Sequence, residues 1–248
     1  MSEFRVLALH GFMGTGADWN PVREALGVDV AFFGPDLPGH GSSTGLPDAC
    51  YTLEGVVDWL APDSHTLVVG YSMGGRIALH AQAAAGVVAI SAHPGLPEGE
   101  RGARLALDVE RATAMRADFP AFLSSWLEQP LFASLSPGQR EDLIAQRRRQ
   151  DPAELAKALV GFSTGRQRDL RQSRSQTAPS GGNLSADQGT GSGRPVLAVA
   201  GERDKRYVRL AQETAPSIII PDAGHNLLVE APQLVAEAIR SMLESLSA

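Results

Sequence analysis

The chain has 248 residues, of which 43% are hydrophobic and 20% are charged, so it can bury a substantial core. Its 22 basic and 28 acidic residues give a formal net charge of −6, which argues against general binding to nucleic acid or to an anionic membrane surface. The single cysteine, Cys50, excludes a disulfide within the chain, and no segment approaches the roughly 18 apolar residues of a membrane span. We therefore expect a globular protein of the reducing cytoplasm.

Short β-rich runs are each followed by a glycine-rich turn and then by a helical pattern. This alternation predicts a parallel sheet with crossover helices. Strands are expected at residues 5–9, 28–33 and 66–69, with a helix at 76–85 after the third strand. Further strands are expected at 87–91, 195–200 and 217–220, and the spacing of apolar residues predicts a helix over 232–246.

The pattern between the fourth and fifth expected strands is helical only, which predicts a helical cap inserted into the sheet domain. Ser136 and Asp151 are each followed by proline and, three residues on, by Gln139 or Glu154, which predicts two helix starts with capping boxes. Residues 173–193 are rich in Ser, Gly, Gln and Thr and are expected to form a flexible surface loop. We divide the chain into a first part of the α/β core at 1–93, the cap at 94–172, the loop at 173–193 and a second part of the core at 194–248.

Residues 70–74 read Gly-Tyr-Ser-Met-Gly, which is the G-x-S-x-G pattern of a nucleophile elbow. Such an elbow requires a strand before the serine, a helix after it and small residues around it, because the tight turn holds the serine in a strained backbone conformation. Ser72 meets all three conditions. Glycine-rich turns between a strand and a helix also bind phosphate or serve as structural turns, so the pattern alone leaves these alternatives open.

A serine hydroxyl needs a histidine to take its proton, and the histidine needs a carboxylate to fix its tautomer. Asp204 follows the strand expected at 195–200 and His225 follows the next strand, which is the order serine, acid, histidine of an α/β-hydrolase sheet. Alternatively, Asp204 is a helix N-cap, and Asp222 or Glu202 orients the histidine. His93, at the start of the cap, is a candidate substrate contact or a structural residue.

The third requirement is a pair of backbone N–H groups directed at a developing oxyanion. Met73, directly after the serine, supplies one, and Phe12, in the glycine-rich loop after the first strand, is the expected second donor. A triad with an oxyanion hole serves ester hydrolysis, C–C cleavage and elimination alike, because each reaction develops negative charge on oxygen. These residues therefore predict a proton-transfer site without fixing its substrate.

Several longer segments resemble known enzymes. Those similar to many α/β-hydrolase-fold enzymes are 9–14 (LHGFMG), 36–41 (DLPGHG) and 70–76 (GYSMGGR). Those that resemble the 2-succinyl-6-hydroxy-2,4-cyclohexadiene-1-carboxylate synthases of menaquinone biosynthesis are 92–96 (AHPGL), 126–135 (WLEQPLFASL) and 161–167 (GFSTGRQ). The resemblance covers nearly the whole chain outside residues 173–193.

The resemblance implies an α/β-hydrolase fold, with a mostly parallel central sheet, helices on both faces and an inserted helical cap. It implies a lyase that eliminates pyruvate from a cyclohexene polycarboxylate without a metal or an organic cofactor. It also implies that Ser72, activated by His225 and Asp204, removes a ring proton. The amides of Phe12 and Met73 would then hold the enolate-like charge.

The same family uses three arginines for the substrate carboxylates, and the resemblance places these roles on Arg76, Arg104 and Arg147. A guanidinium offers a planar, permanently charged fork to a carboxylate, which suits a polyanionic substrate in an otherwise acidic protein. The plainer alternatives are a solvated helix residue for Arg76 and a cation at a helix end for Arg147. Tyr71 and Trp126 are expected to line the pocket, with core packing as the competing explanation.

We therefore predict a cytoplasmic lyase of a small polycarboxylate, with no nucleic-acid or membrane partner and no metal. The competing enzyme is a carboxylesterase or C–C bond hydrolase of the same fold, with Ser72 as an acyl nucleophile. A third hypothesis is a non-enzymatic binding protein of this fold, against which the complete triad argues. The sequence does not indicate the oligomeric state.

Overall fold

The computed structural model describes residues 3–171 and 193–248. Within these ranges one six-stranded sheet has the strand order β2-β1-β3-β4-β5-β6, and every neighbouring pair is parallel. The flexible loop expected at 173–193 lies, apart from Gly193, outside the described residues. The strands are β1 Arg5–Leu9, β2 Phe32–Phe33, β3 Thr66–Tyr71, β4 Gly86–Ile90, β5 Val196–Gly201 and β6 Ser217–Ile220.

The strand bounds follow the sequence-based predictions with one large exception. β1 and β6 have the predicted bounds, and β3 continues to Tyr71, so that it ends directly before Ser72. The strand predicted at 28–33 is wrong in length, because only Phe32–Phe33 pair with the sheet. Val28 is fully exposed and follows Gly27 at a φ of 83°, so the chain turns there before it reaches the sheet.

Helices follow the strands and cross over both faces of the sheet. The helix predicted at 76–85 is also wrong in extent, since it ends at Ala78. Beyond that residue the amides of His80 and Ala81 bond to carbonyls three residues back, which tightens the chain into turns. The helices are α1 Asn20–Leu26, α2 Leu53–Leu60, α3 Met73–Ala78, α4 Glu98–Ala117, α5 Phe119–Leu127, α6 Pro137–Arg147, α7 Pro152–Gly161, α8 Lys205–Thr214, α9 Leu227–Glu230 and α10 Pro232–Ser247.

Apolar residues cover both faces of the sheet, as parallel strands enclosed by helices require. Along β3, Val68 packs in a cluster with Val56 of α2 and Ile77 of α3. Val69 points to the opposite face and packs in a second cluster with Ile239 of α10. This two-sided burial fixes the carboxyl ends of the strands, where the loops with the candidate site residues begin.

Helices α4 to α7 lie between β4 and β5 in the chain and have a hydrophobic cluster of their own. Met115, Leu123 and Leu155 belong to it, and Met13 from the loop after β1 joins it from the sheet side. The cap therefore packs on the edge of the sheet that carries the candidate site.

The boundaries 1–93, 94–172, 173–193 and 194–248 stay a prediction. Among the helices of the described ranges, none is both long and apolar enough to cross a membrane.

The two capping boxes predicted for the cap differ in outcome. Ser136 and Gln139 exchange the expected side-chain and backbone hydrogen bonds at the start of α6. Asp151 caps α7, but Glu154 is not its box partner, so this part of the prediction is wrong. The Glu154 carboxylate instead accepts hydrogen bonds from the Gly45 amide and from a tyrosine hydroxyl of the sheet domain, because these tertiary partners replace the local one.

Candidate active site

Ser72 lies in the sharp turn between β3 and α3. Its φ of 52° and ψ of −106° form a strained conformation that residues with a side chain rarely adopt. The turn is tight, because a Cβ on Gly70 would lie 2.2 Å from the Gly74 carbonyl oxygen. A Cβ on Gly74 would lie 2.1 Å from the Leu9 carbonyl oxygen. Sterics therefore require both glycines of the elbow pattern.

The structure brings Ser72, His225 and Asp204 into hydrogen-bonding contact. The Nε2 atom of His225 lies 3.3 Å from the Ser72 Oγ, and its Nδ1 atom lies 2.7 Å from the Asp204 Oδ2. With the proton on Nδ1, the ring donates to the carboxylate and leaves Nε2 free to accept the serine proton. The side chains of His225 and Asp204 are only 1% and 8% exposed, so little water screens their interaction. This arrangement can move a proton between a hydroxyl group and a histidine base.

Asp204 makes both of the contacts that the sequence left as alternatives. Its Oδ1 atom accepts from the Tyr207 amide at 3.2 Å and caps α8, while its Oδ2 atom faces the histidine. Asp222 instead pairs with the exposed Arg203 at 3.2 Å, and Glu202 accepts from the Asp222 amide at 3.2 Å. Neither of these two acids is brought to the histidine.

Glu230, which the sequence analysis did not identify, holds the loop that carries His225. Its two carboxylate oxygens accept from the amides of Gly224 at 2.7 Å and Asn226 at 3.0 Å, one on each side of the histidine. The Ser91 hydroxyl donates to the His225 carbonyl oxygen at 2.9 Å. The sequence signal that could have found this contact is a glutamate at the end of the short helix α9, five residues beyond the histidine.

Three aromatic rings surround the His225 imidazole. The ring centroids of Tyr71, Phe132 and Tyr207 lie 5.6, 5.9 and 4.6 Å from that of the histidine. Burial raises the pKa of Tyr71 and that of Tyr207 above their usual range, so both hydroxyls stay protonated. Tyr71 does not line the pocket described below, so the structure supports the core-packing explanation for it.

Phe12 and Met73 both lie beside Ser72 on the wall of one pocket. Met13 follows Phe12 at a φ of 60°, which turns the loop after β1 sharply at this point. Phe12 and Met73 thus lie on the same wall as the serine, while the role of their amides as an oxyanion hole stays a prediction.

A pocket of about 750 Å³ lies between the carboxyl edge of the sheet and the cap. Its lining includes Ser72, Asp204 and His225 with the side chain of Trp126. The lining arginines are Arg76, Arg104, Arg111, Arg203 and Arg206, against the two acids Asp108 and Asp204. The wall is therefore cationic in a chain whose formal net charge is −6. Such a local excess of positive charge favours an anionic ligand.

Two of the three arginines named from the resemblance lie on this wall. The Arg76 guanidinium donates to the Phe162 carbonyl oxygen, and burial lowers the pKa of Arg76 to about 10, so the group stays charged near neutral pH. Arg104 donates through Nε to the Asp108 Oδ2 at 2.9 Å. Their contact with a substrate stays a prediction.

Arg147, the third arginine, is not brought to the pocket. Its side chain is 8% exposed and its Nη2 atom lies 3.3 Å from the Asp18 Oδ2, so it forms a nearly buried ion pair. Arg147 ends α6, in agreement with the alternative of a cation at a helix end. Arg111 lies on the wall instead, and the sequence analysis missed it. Its signal would have been the spacing of Arg104, Asp108 and Arg111 along one face of a helix.

His93 is likewise absent from the lining of the pocket. Its Nδ1 atom accepts from the Gly95 amide at 3.1 Å, and its carbonyl oxygen accepts from Gln167 at 3.1 Å. Burial, with the nearby positive charge of Arg206, lowers the pKa of His93 to about 3. The ring is therefore neutral and holds the start of the cap through these contacts, while a contact with substrate stays a prediction. No group of three or more His, Cys, Asp or Glu residues within the described ranges could hold a metal ion.

Comparisons with known proteins identify the family of the chain. Residues 6–238 match the alpha/beta hydrolase family. The 2-succinyl-6-hydroxy-2,4-cyclohexadiene-1-carboxylate synthases of Escherichia fergusonii and of Escherichia coli O1:K1 are each 35% identical to the chain, over 95% of this chain and 92% of theirs.

Solved structures share the fold at lower sequence identity. MenH from S. aureus superposes with a TM-score of 0.84 at 23% identity, over all of this chain and 96% of that one. A malate-bound thermophilic esterase from Thermogutta terrifontis has a TM-score of 0.75 at 22% identity, over 99% of this chain and 91% of that one. The chain belongs to the α/β hydrolase family and, within it, to the 2-succinyl-6-hydroxy-2,4-cyclohexadiene-1-carboxylate synthases.

Proposed function

We propose that the chain is a cytoplasmic lyase of menaquinone biosynthesis. It eliminates pyruvate from 2-succinyl-5-enolpyruvyl-6-hydroxy-3-cyclohexene-1-carboxylate to give 2-succinyl-6-hydroxy-2,4-cyclohexadiene-1-carboxylate. The observation that carries this proposal is one pocket in which the contacts of Ser72, His225 and Asp204 lie beside five arginines. The identity to relatives with this name supports the choice of reaction.

The reaction begins with proton transfer. His225 accepts the Ser72 proton through Nε2, and the serine oxygen then removes a proton from the substrate ring. Asp204 fixes the Nδ1–H tautomer and stabilises the imidazolium that forms. The negative charge that develops on a substrate oxygen is bound by the amides of Phe12 and Met73.

Elimination then breaks the bond between the ring carbon and the enolpyruvyl oxygen. The electron pair of the broken C–H bond forms a double bond between ring carbons 2 and 3, and the pair of the existing double bond moves from carbons 3 and 4 to carbons 4 and 5. The leaving group departs from carbon 5 as the enolate of pyruvate. This enolate takes up the proton held on His225 and becomes pyruvate, which restores the neutral histidine, so the serine never needs to form an acyl intermediate. Arg76, Arg104 and Arg111 hold the carboxylates of the small polycarboxylate substrate during these steps. The proposal includes no cofactor and no nucleic-acid or membrane partner.

The decisive experiment measures pyruvate release from the cyclohexene substrate. We expect release by the wild type, its loss in Ser72→Ala, and unchanged release by Ser64→Ala, a matched change at an exposed serine. A folded wild type that releases no pyruvate would contradict the proposal.

A carboxylesterase or C–C bond hydrolase is the second candidate, because the same serine and histidine contact would serve acyl transfer. Intact mass spectrometry during turnover of an aryl ester separates the two functions. A covalent acyl adduct on Ser72 together with no pyruvate release favours the hydrolase. Pyruvate release without any adduct favours the lyase.

A further inference from the structure

Asp108 of α4 is a buried carboxylate on the cationic wall of the pocket. Its side chain has no solvent exposure, and both of its oxygens are occupied. The Oδ2 atom accepts from Arg104 Nε at 2.9 Å and from the Ser163 hydroxyl at 2.7 Å. The Oδ1 atom accepts from Arg111 Nη1 at 3.3 Å. Charge pairing and hydrogen bonds thus compensate the cost of burying this charge.

The helix places the acid between its two cations. Arg104 lies four residues before Asp108 and Arg111 lies three residues after it, so all three side chains share one face of α4. Each arginine gives only one nitrogen to the carboxylate and keeps its other N–H donors for further partners. The Arg111 guanidinium also lies 5.5 Å from the Trp126 ring centroid, so it is held from a second side.

The arginines of this wall repel one another. Arg76 lies close enough to Arg104 for the charge of Arg104 to contribute to the lowered pKa of Arg76. An arginine side chain has several rotatable bonds, so without an anchor such cations would separate and point towards water. A fixed anion between Arg104 and Arg111 removes this freedom before any ligand arrives.

We propose that Asp108 is a positioning residue that holds Arg104 and Arg111 with their free N–H donors facing the pocket, ready for one carboxylate of the substrate. This inference rests on the proposed function, since it concerns the polycarboxylate site of that reaction. Asp108 acts through the two guanidinium groups and does not contact the reacting atoms.

Removal of the Asp108 charge distinguishes the positioning role from a purely electrostatic effect on substrate binding. Asp108→Asn makes the pocket more positive, which by charge alone would tighten the binding of an anion. Asparagine also turns one acceptor into an N–H₂ donor that opposes an arginine or Ser163 donor, so the pair would lose its alignment. For Asp108→Asn we expect KM to rise about ten-fold with kcat within about two-fold, the pattern of lost ground-state binding.

Asp108→Glu keeps the charge and moves it by one methylene group, and we expect a rise in KM of about five-fold. This second variant keeps the test decisive if Asp108→Asn does not fold. Glu110→Gln is the matched control, because it removes an exposed charge from the same helix, and its KM should equal that of the wild type. An unchanged or lowered KM in a folded Asp108 variant would overturn the proposal.

Calorimetric titration with citrate, a tricarboxylate, repeats the comparison without turnover. We expect citrate to bind the wild type and to bind both Asp108 variants more weakly. If citrate binding follows this order but the wild type releases no pyruvate, the proposed function fails and the positioning role stands. If citrate does not bind the wild type, or binds the variants equally well, the positioning role is overturned.

Discussion

The two sides of the candidate site are held together by different interactions. On the sheet side, Ser72, Asp204 and His225 each follow a strand of the parallel sheet, and backbone geometry fixes their positions. On the cap side, the arginines are placed by ion pairs and hydrogen bonds between side chains, such as those of Asp108. The sheet side is therefore set by the fold, whereas the cap side depends on individual contacts that single substitutions can remove.

The largest expected effect concerns the acid on the sheet side. In Asp204→Asn the amide oxygen remains the cap of α8, which turns the amide nitrogen towards His225 Nδ1 and favours the wrong tautomer. We expect kcat to fall about 10³-fold with little change in KM, since the geometry persists while the base is lost. Steady-state pyruvate release measures this change. Asp222→Asn is the matched control, and a comparable loss in that variant would move the role to Asp222.

The difference between the two sides also limits what the sequence alone could predict. Ser72, Asp204 and His225 were predicted as a set because a parallel sheet gathers the loops after its strands at one edge. Arg111 was missed because the sequence does not show which face of α4 turns towards the pocket, and only the fold places Arg111 on that wall. β2 was predicted too long for a similar reason, since nothing in the local sequence shows that Val28 is fully exposed.

Substitution of Arg147 tests whether a cap arginine that lies off the pocket wall also binds the substrate. Arg147→Ala leaves Asp18 as a mostly buried, unpaired carboxylate, so we expect the free energy of unfolding to fall by about 3 kcal/mol with KM unchanged. Denaturant unfolding and steady-state kinetics measure the two quantities. The exposed Arg148→Ala is the matched control. A KM that rises ten-fold or more in Arg147→Ala would instead support the substrate contact implied by the family resemblance.

The loops on the sheet side also contain buried neutral histidines, which makes them sensitive to acid. His10 Nε2 accepts from the Leu37 amide at 2.9 Å, and burial lowers the pKa of His10. Burial also lowers the pKa of His40 to about 3, with the nearby His10 contributing. On acidification, the unfolded chain protonates these two histidines at a higher pH than the folded chain does. Their contribution to the free energy of unfolding is therefore complete above about pH 6.5 and is lost as the pH falls towards 3.

Denaturant unfolding at pH 7 and pH 5 checks this dependence. Each such histidine changes the free energy of unfolding by at most about 1.4 kcal/mol per pH unit. His40→Gln should therefore lose less of this free energy than the wild type when the pH is lowered from 7 to 5. His65→Gln is the matched control, because the side chain of His65 is 60% exposed. If His40→Gln loses as much stability as the wild type, the acid sensitivity does not originate at this histidine.

The smallest expected effect concerns the carboxylate that holds the loop of His225. In Glu230→Gln the amide nitrogen would face one of the two backbone N–H groups, so one of the hydrogen bonds at Gly224 or Asn226 is lost. The histidine then samples a wider range of positions, and we expect kcat to fall about five-fold with KM unchanged. Glu237→Gln, an exposed change on α10, is the matched control and should leave both constants unchanged. A rise in KM instead would mean that this loop contacts the substrate, so backbone geometry on the sheet side would contribute to binding as well as to proton transfer.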